Sequence, residues 1–161
     1  TPGSLLWSSS DLSSALTSGA AEIVTASGTG AVWALSQCFS ISGNPVEMSG
    51  WTEVESSVAG APLVGARIDY FGGAGCSGAV VGSTLSPPVA GDTGGFRTYL
   101  RLTRSSPPTA ALSVLVSMEV EGGAAATFTA RFDDLFYGLT PPLFSDGFES
   151  NGTGAWSAAV P

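Results

Sequence analysis

Carboxylates are the only side chains in this sequence that could carry acid–base chemistry. The chain has no His and no Lys. Its five cations are all arginine (Arg67, Arg97, Arg101, Arg104 and Arg131), against thirteen Asp and Glu. Catalysis needs a group poised near neutral pH or an activated nucleophile. Two carboxylates can hydrolyse a glycosidic bond, and Glu53 with Glu55, beside Trp51, invites that reading, as does Glu119 with Glu121. In both pairs the residues are two apart, so a strand puts them on one face, and a solvated acidic face accounts for them. The chain is therefore read as non-enzymatic.

Asp133-Asp134 is a different case. In the alternation Phe128, Ala130, Phe132, Asp134, Phe136, the carboxylate of Asp134 falls on the apolar face. A carboxylate there needs backbone amides, an arginine such as Arg131, or a cation. Aromatic side chains offer another chemistry, since a ring face packs on the apolar side of a pyranose while polar neighbours fix its hydroxyls. The candidates for such a platform are Trp51, Tyr70, Phe71 and Tyr99. Trp33 and Phe39 read as core, and Trp7 and Trp156 belong to terminal segments. The run Gly72-Gly-Ala-Gly-Cys-Ser-Gly78 has neither the following helix nor the lysine of a phosphate loop, so it is read as a turn.

The elements that must position these residues are strands. Alternation recurs over residues 31–41, 46–55, 63–71, 96–104, 111–121 and 126–137, with turns such as Ser86-Pro-Pro and Ser106-Pro-Pro among them. Leu112, Val114, Val116, Met118 and Val120 share one face of the fifth segment. This pattern describes an antiparallel sandwich and excludes a parallel α/β sheet. The one weak helix candidate lies near 10–17. At 161 residues the chain is long enough for a two-layer core. Its formal charge of −8 and scattered arginines argue against nucleic acid or an anionic membrane as partner. No apolar run approaches the roughly 18 residues a membrane-spanning helix requires.

Thr1 reads as the first residue of a processed, exported chain. In that setting Cys38 and Cys76 form a natural disulfide pair, the alternative being two buried thiols. Closing a loop of this length would contribute about 3–4 kcal/mol in the chain-entropy treatment.

Four runs in order, Leu35-Ser-Gln-Cys-Phe-Ser-Ile, Ser49-Gly-Trp-Thr, Tyr70-Phe-Gly-Gly-Ala-Gly-Cys-Ser-Gly and Phe132-Asp-Asp-Leu-Phe, resemble a group of secreted bacterial jelly-roll domains. These look like the carbohydrate-binding modules appended to polysaccharide hydrolases. The resemblance covers roughly residues 20–137 and implies an exported, all-β domain that binds a ligand or serves as a structural accessory. Such domains usually open with a Gly-Phe-Glu strand followed closely by a Trp. That opening is missing here, and its counterpart sits at the far end, Asp146-Gly-Phe-Glu-Ser-Asn-Gly-Thr-Gly-Ala-Trp156.

The expected fold is thus an all-β antiparallel jelly-roll β-sandwich with its first-strand segment displaced to the C-terminus. The expected divisions are a sandwich over 1–137, a proline-containing linker over 138–145 and a donor strand over 146–161. By the resemblance, a structural Ca²⁺ would sit between Asp134 and Glu149, with Asp133 beside them and backbone oxygens completing the shell. A sandwich lacking its first strand leaves an open edge that a neighbouring chain can fill, and Pro141-Pro142 resists a tight reversal. The sequence therefore predicts a bacterial cell-surface subunit that polymerises head to tail with copies of itself. Phe144, Phe148 and Trp156 would be buried in the contact. The alternative is a module that binds a polysaccharide.

Overall fold

Val114, Val116, Met118 and Val120 recur at every second position, so a strand through them must bury one whole face. In the computed structural model all four are fully buried. The structure describes residues 4–9, 19–25, 32–41, 46–55, 63–90, 93–95, 98–104, 107–122, 128–138, 144–146 and 157–159. Its strands are β1 (Ser4–Ser8), β2 (Ala20–Val24), β3 (Val32–Ser40), β4 (Val46–Glu55), β5 (Leu63–Phe71) and β6 (Val80–Leu85). They continue as β7 (Val89–Ala90), β8 (Thr98–Arg104), β9 (Ser113–Glu121), β10 (Thr129–Gly138), β11 (Phe144–Asp146) and β12 (Ser157–Ala159). The described residues include no helix, and the helix candidate near 10–17 lies outside them.

Two six-stranded antiparallel sheets result, ordered β1-β2-β10-β4-β8 with β11 also on β10, and β12-β3-β9-β5-β6 with β7 also on β5. Successive strands from β2 to β5, and again from β8 to β10, alternate between the sheets, which is the jelly-roll winding. Between them lies a core that includes Leu35, Met48, Val54, Val64, Ile68, Tyr70, Phe132 and Leu135. Each large apolar side chain buried in this way contributes about 1.5–3 kcal/mol of transfer free energy.

One edge of β10 is shared. β2 pairs with its first half, Thr129–Phe132, and β11 with its second half, Leu135–Tyr137. The chain's own N-terminal hairpin, β1 with β2, therefore occupies part of the position that the sequence assigns to the C-terminal segment. That segment pairs within the chain: β11 runs antiparallel to β10, and β12 antiparallel to β3 over Ser36–Ala34. β10 and β11 pair antiparallel on either side of Pro141-Pro142, which themselves lie outside the described residues. β11 starts inside the stretch expected to be linker. Phe148 and Trp156 lie outside the described residues, as does the side chain of Phe144.

Cys38 and Cys76 are joined, with Cα atoms 6.0 Å apart. Cys76 belongs to the glycine-rich turn after β5. Its N–H donates to Ser113 Oγ at 2.8 Å, and that hydroxyl donates in turn to the Gly73 carbonyl. The bridge thus ties the turn to β3 across the end of β9.

Candidate functional site

Parity along β4 sorts its side chains. Met48, Thr52 and Val54 point into the sandwich and are buried, leaving Glu47, Ser49, Trp51, Glu53 and Glu55 on the outward face. β8 pairs with β4 so that Tyr99 lies directly across from Trp51, and Arg101 across from Ser49. The two rings meet with centroids 5.1 Å apart and planes inclined at 50°. Tyr99 is 47% exposed and Trp51 half-buried. Interiors claim most aromatic surface, so a tilted pair left open on a sheet face is a ready surface for a ring-shaped or cationic ligand.

On the other side of Trp51, β10 contributes Asp133, and here the ladder is irregular. Asp133 faces Trp51 and Phe136 faces Ser49, so Asp134 and Leu135 together oppose Gly50. This is a β-bulge. Asp134 takes the left-handed conformation, φ 50°, and its N–H donates to Asp133 Oδ1 at 2.7 Å. Leu135 turns inward over Gly50, where any side chain would collide with it. The extra residue reverses parity beyond it, so Leu135 and Tyr137 are buried while Asp134 is exposed.

That corrects the sequence reading of which face Asp134 occupies: it does not face the core, and Asp133 is the buried carboxylate of the two. Glu149, the other ligand of the expected Ca²⁺ site, lies outside the described residues. Among the described residues no group of three or more Asp, Glu, Cys or His could hold a metal ion.

At the far end of the same face Arg131 binds three carboxylates: Glu22 Oε2 to Nε at 2.7 Å, Glu53 Oε2 to Nη1 at 2.9 Å and Glu55 Oε2 to Nη2 at 3.0 Å. Burial opposes the guanidinium charge, but hydrogen bonds to Glu55, Glu53 and Glu22 outweigh it and hold the Arg131 pKa above its ordinary value. Glu53 and Glu55 are thus both engaged by one arginine, an arrangement that holds a face together. Toward the opposite end Arg101 Nη2 pairs with Glu47 Oε2 at 2.7 Å.

The remaining candidates are dispersed. Tyr70 is fully buried in the core and cannot be a surface platform. Phe71, half-buried, lies on the outward face of the other sheet. Only Trp51 and Tyr99 of the predicted aromatics come together.

No protein-family model and no curated protein matches the sequence. Solved structures do resemble the fold. The enzymatically active domain of tailspike protein 4 from bacteriophage CBA120 superposes with a TM-score of 0.51 at 17% identity, over 75% of this chain. A structure of promiscuous carbohydrate-binding modules from the β-sandwich superfamily gives 0.51 at 10% identity, over 85% of this chain and 53% of its own. TmCBM61, in complex with β-1,4-galactotriose, gives 0.44 at 13% identity, over 74% of this chain and 70% of its own. The chain spans about 15% of the length of the tailspike chain that it matches. The likeness to the carbohydrate-binding modules of the β-sandwich superfamily shows the β-sandwich fold.

Sequence reasoning missed the Arg131 cluster and the Arg101–Glu47 pair. Glu22, Glu53 and Arg131 meet only because β2 and β4 flank β10 in a particular register. The one available signal was that Glu53 and Glu55 share parity with each other and with Trp51.

Proposed function

We propose that this domain is a non-catalytic carbohydrate-binding module that works outside the cell, with its ligand lying across the outward face of β4, β8 and β10. The observation that carries the reading is the open Trp51–Tyr99 pair, with polar groups on the neighbouring positions of the same sheet face. The β-sandwich fold shared with carbohydrate-binding modules and the Cys38–Cys76 bridge support it. Glu22, Glu53 and Glu55 are taken up by Arg131 and Glu47 by Arg101, which suits these four to accept hydroxyl hydrogen bonds and not to cleave. Self-association through the C-terminal segment is the weaker reading, since β11 and β12 pair within their own chain.

Affinity electrophoresis against a panel of soluble polysaccharides tests the proposal. At least one should retard the protein, and Trp51→Ala should weaken that interaction by about 30-fold or more, as loss of a central aromatic anchor does. Phe71→Ala, on the opposite face, should bind as the parent does. A panel without any retained polysaccharide, or a Trp51→Ala variant that binds normally, would overturn the reading.

A further inference from the structure

The charges around the aromatic pair narrow the ligand class, an inference that rests on the binding reading above. Among the described residues, the outward side of β1, β2, β10, β4 and β8 carries Glu22, Glu47, Glu53, Glu55 and Asp133, with Asp134 exposed at the bulge. Against them stand Arg101 and Arg131. Arg101 is engaged by Glu47, and Arg131 is shared by three glutamates. Arg101 is 60% exposed and held at one nitrogen, and among the described residues the carboxylates on this face outnumber the arginines. The side chain of Glu55 is 58% exposed, so part of that surplus reaches solvent.

A tilted aromatic pair edged by carboxylates is suited to an ammonium group. The ring faces attract a cation through their quadrupoles, and the carboxylates add a field that steers positive ligands in and polyanions away. We infer that the Trp51–Tyr99 face takes a glycan bearing free, protonated amino groups, an N-deacetylated amino-sugar polymer, and rejects uronates. At the bulge Asp134, exposed and in a conformation that L-residues seldom adopt, directly follows Asp133, the residue that faces Trp51.

Isothermal titration should compare three soluble oligosaccharides: a β-1,4-linked glucosamine oligomer, the same oligomer fully N-acetylated, and an oligogalacturonate. At pH values that protonate the amine, the glucosamine oligomer should bind about tenfold more tightly than its acetylated form, and the uronate should not bind. Raising salt from about 20 mM to about 500 mM should shrink that preference, because screening shortens the reach of the carboxylate field. The exposed-site variant Glu55→Gln/Asp134→Asn should lose the preference, weakening the glucosamine oligomer more than the acetylated oligomer. Equal or tighter binding of the acetylated oligomer or the uronate overturns this inference and leaves the binding reading intact. Failure of all three to bind, with no other polysaccharide retained, overturns both.

Discussion

Each sheet turns one face outward, and both outward faces carry an arginine among carboxylates, yet the surroundings differ. On the β4–β8–β10 face, Arg131 is largely buried, its side chain 13% exposed beneath Glu22, Glu53 and Glu55. An aromatic pair lies further along the same face, on β4 and β8. On the β3–β9–β5 face, Arg67 is 35% exposed, with Asp69 Oδ2 at 2.6 Å and Glu119 Oε1 at 3.8 Å. Its neighbours there include Ser36 and Ser117, and a depression of about 190 Å³ lies beyond, lined in part by Val32, Leu63, Leu85 and Glu119. That face combines serines, an ion pair with a partly exposed arginine and an apolar depression. The other combines a buried ion cluster with an aromatic pair left open to solvent, the surface on which the proposed ligand would lie.

The largest effect that should separate the two faces comes from the disulfide, which braces only the second. Cys38→Ser/Cys76→Ser should lose about 3–4 kcal/mol in urea unfolding and leave glycan affinity at Trp51 unchanged. A loss of binding together with stability would show that the faces are coupled. Next come the arginines. Arg131→Met strands three glutamates and should cost about 2–4 kcal/mol, since breaking a mostly buried ion cluster leaves charge without compensation. Arg67→Met should cost less, about 1–2 kcal/mol, because the guanidinium is 35% exposed although Asp69 is buried. Similar losses would remove the distinction drawn from burial.

A smaller effect, opposite in sign, belongs to the bulge. Asp134→Gly relieves the left-handed conformation and should stabilise the fold by about 1 kcal/mol or less, while weakening ligand binding. The smallest concerns Glu119. Burial raises its pKa above 4.5, Arg67 pulls it back, and Asp69 and Glu121 push it up again. A carboxyl with a raised folded-state pKa binds protons more readily when folded, so stability should fall as pH rises from 4.5 through that higher value. Glu119→Gln should flatten this part of a thermal melting profile and leave ligand binding unchanged.

The sandwich was legible wherever a strand kept strict period two. Val114 to Val120, Met48 to Val54 and Val64 to Tyr70 all bury the face that alternation assigns. The same rule, followed consistently, already excluded Tyr70 from the surface, because it shares parity with Val64, Ala66 and Ile68. Alternation failed at Asp134 because one inserted residue reverses parity, and only a short acidic residue tolerant of positive φ hinted at it. The short β1, β6, β7, β11 and β12 gave too few residues to establish a period. Which strand neighbours which depends on contacts distant in sequence. The Arg131 cluster, which joins three strands, was therefore beyond reach.

The placement of β11 and β12 also has a mechanical side. A load applied beyond Ala159 meets first β12, a three-residue strand at the edge of its sheet, and then β11, equally short. Their few ladder bonds would give way before the long ladders of β4, β9 and β10 bore tension. The Cys38–Cys76 bond would keep residues 38 to 76 from extending at all. Tension from that end should therefore lengthen the chain in small early steps that spare Trp51 and Tyr99, so a ligand held there would stay bound while the tail yields.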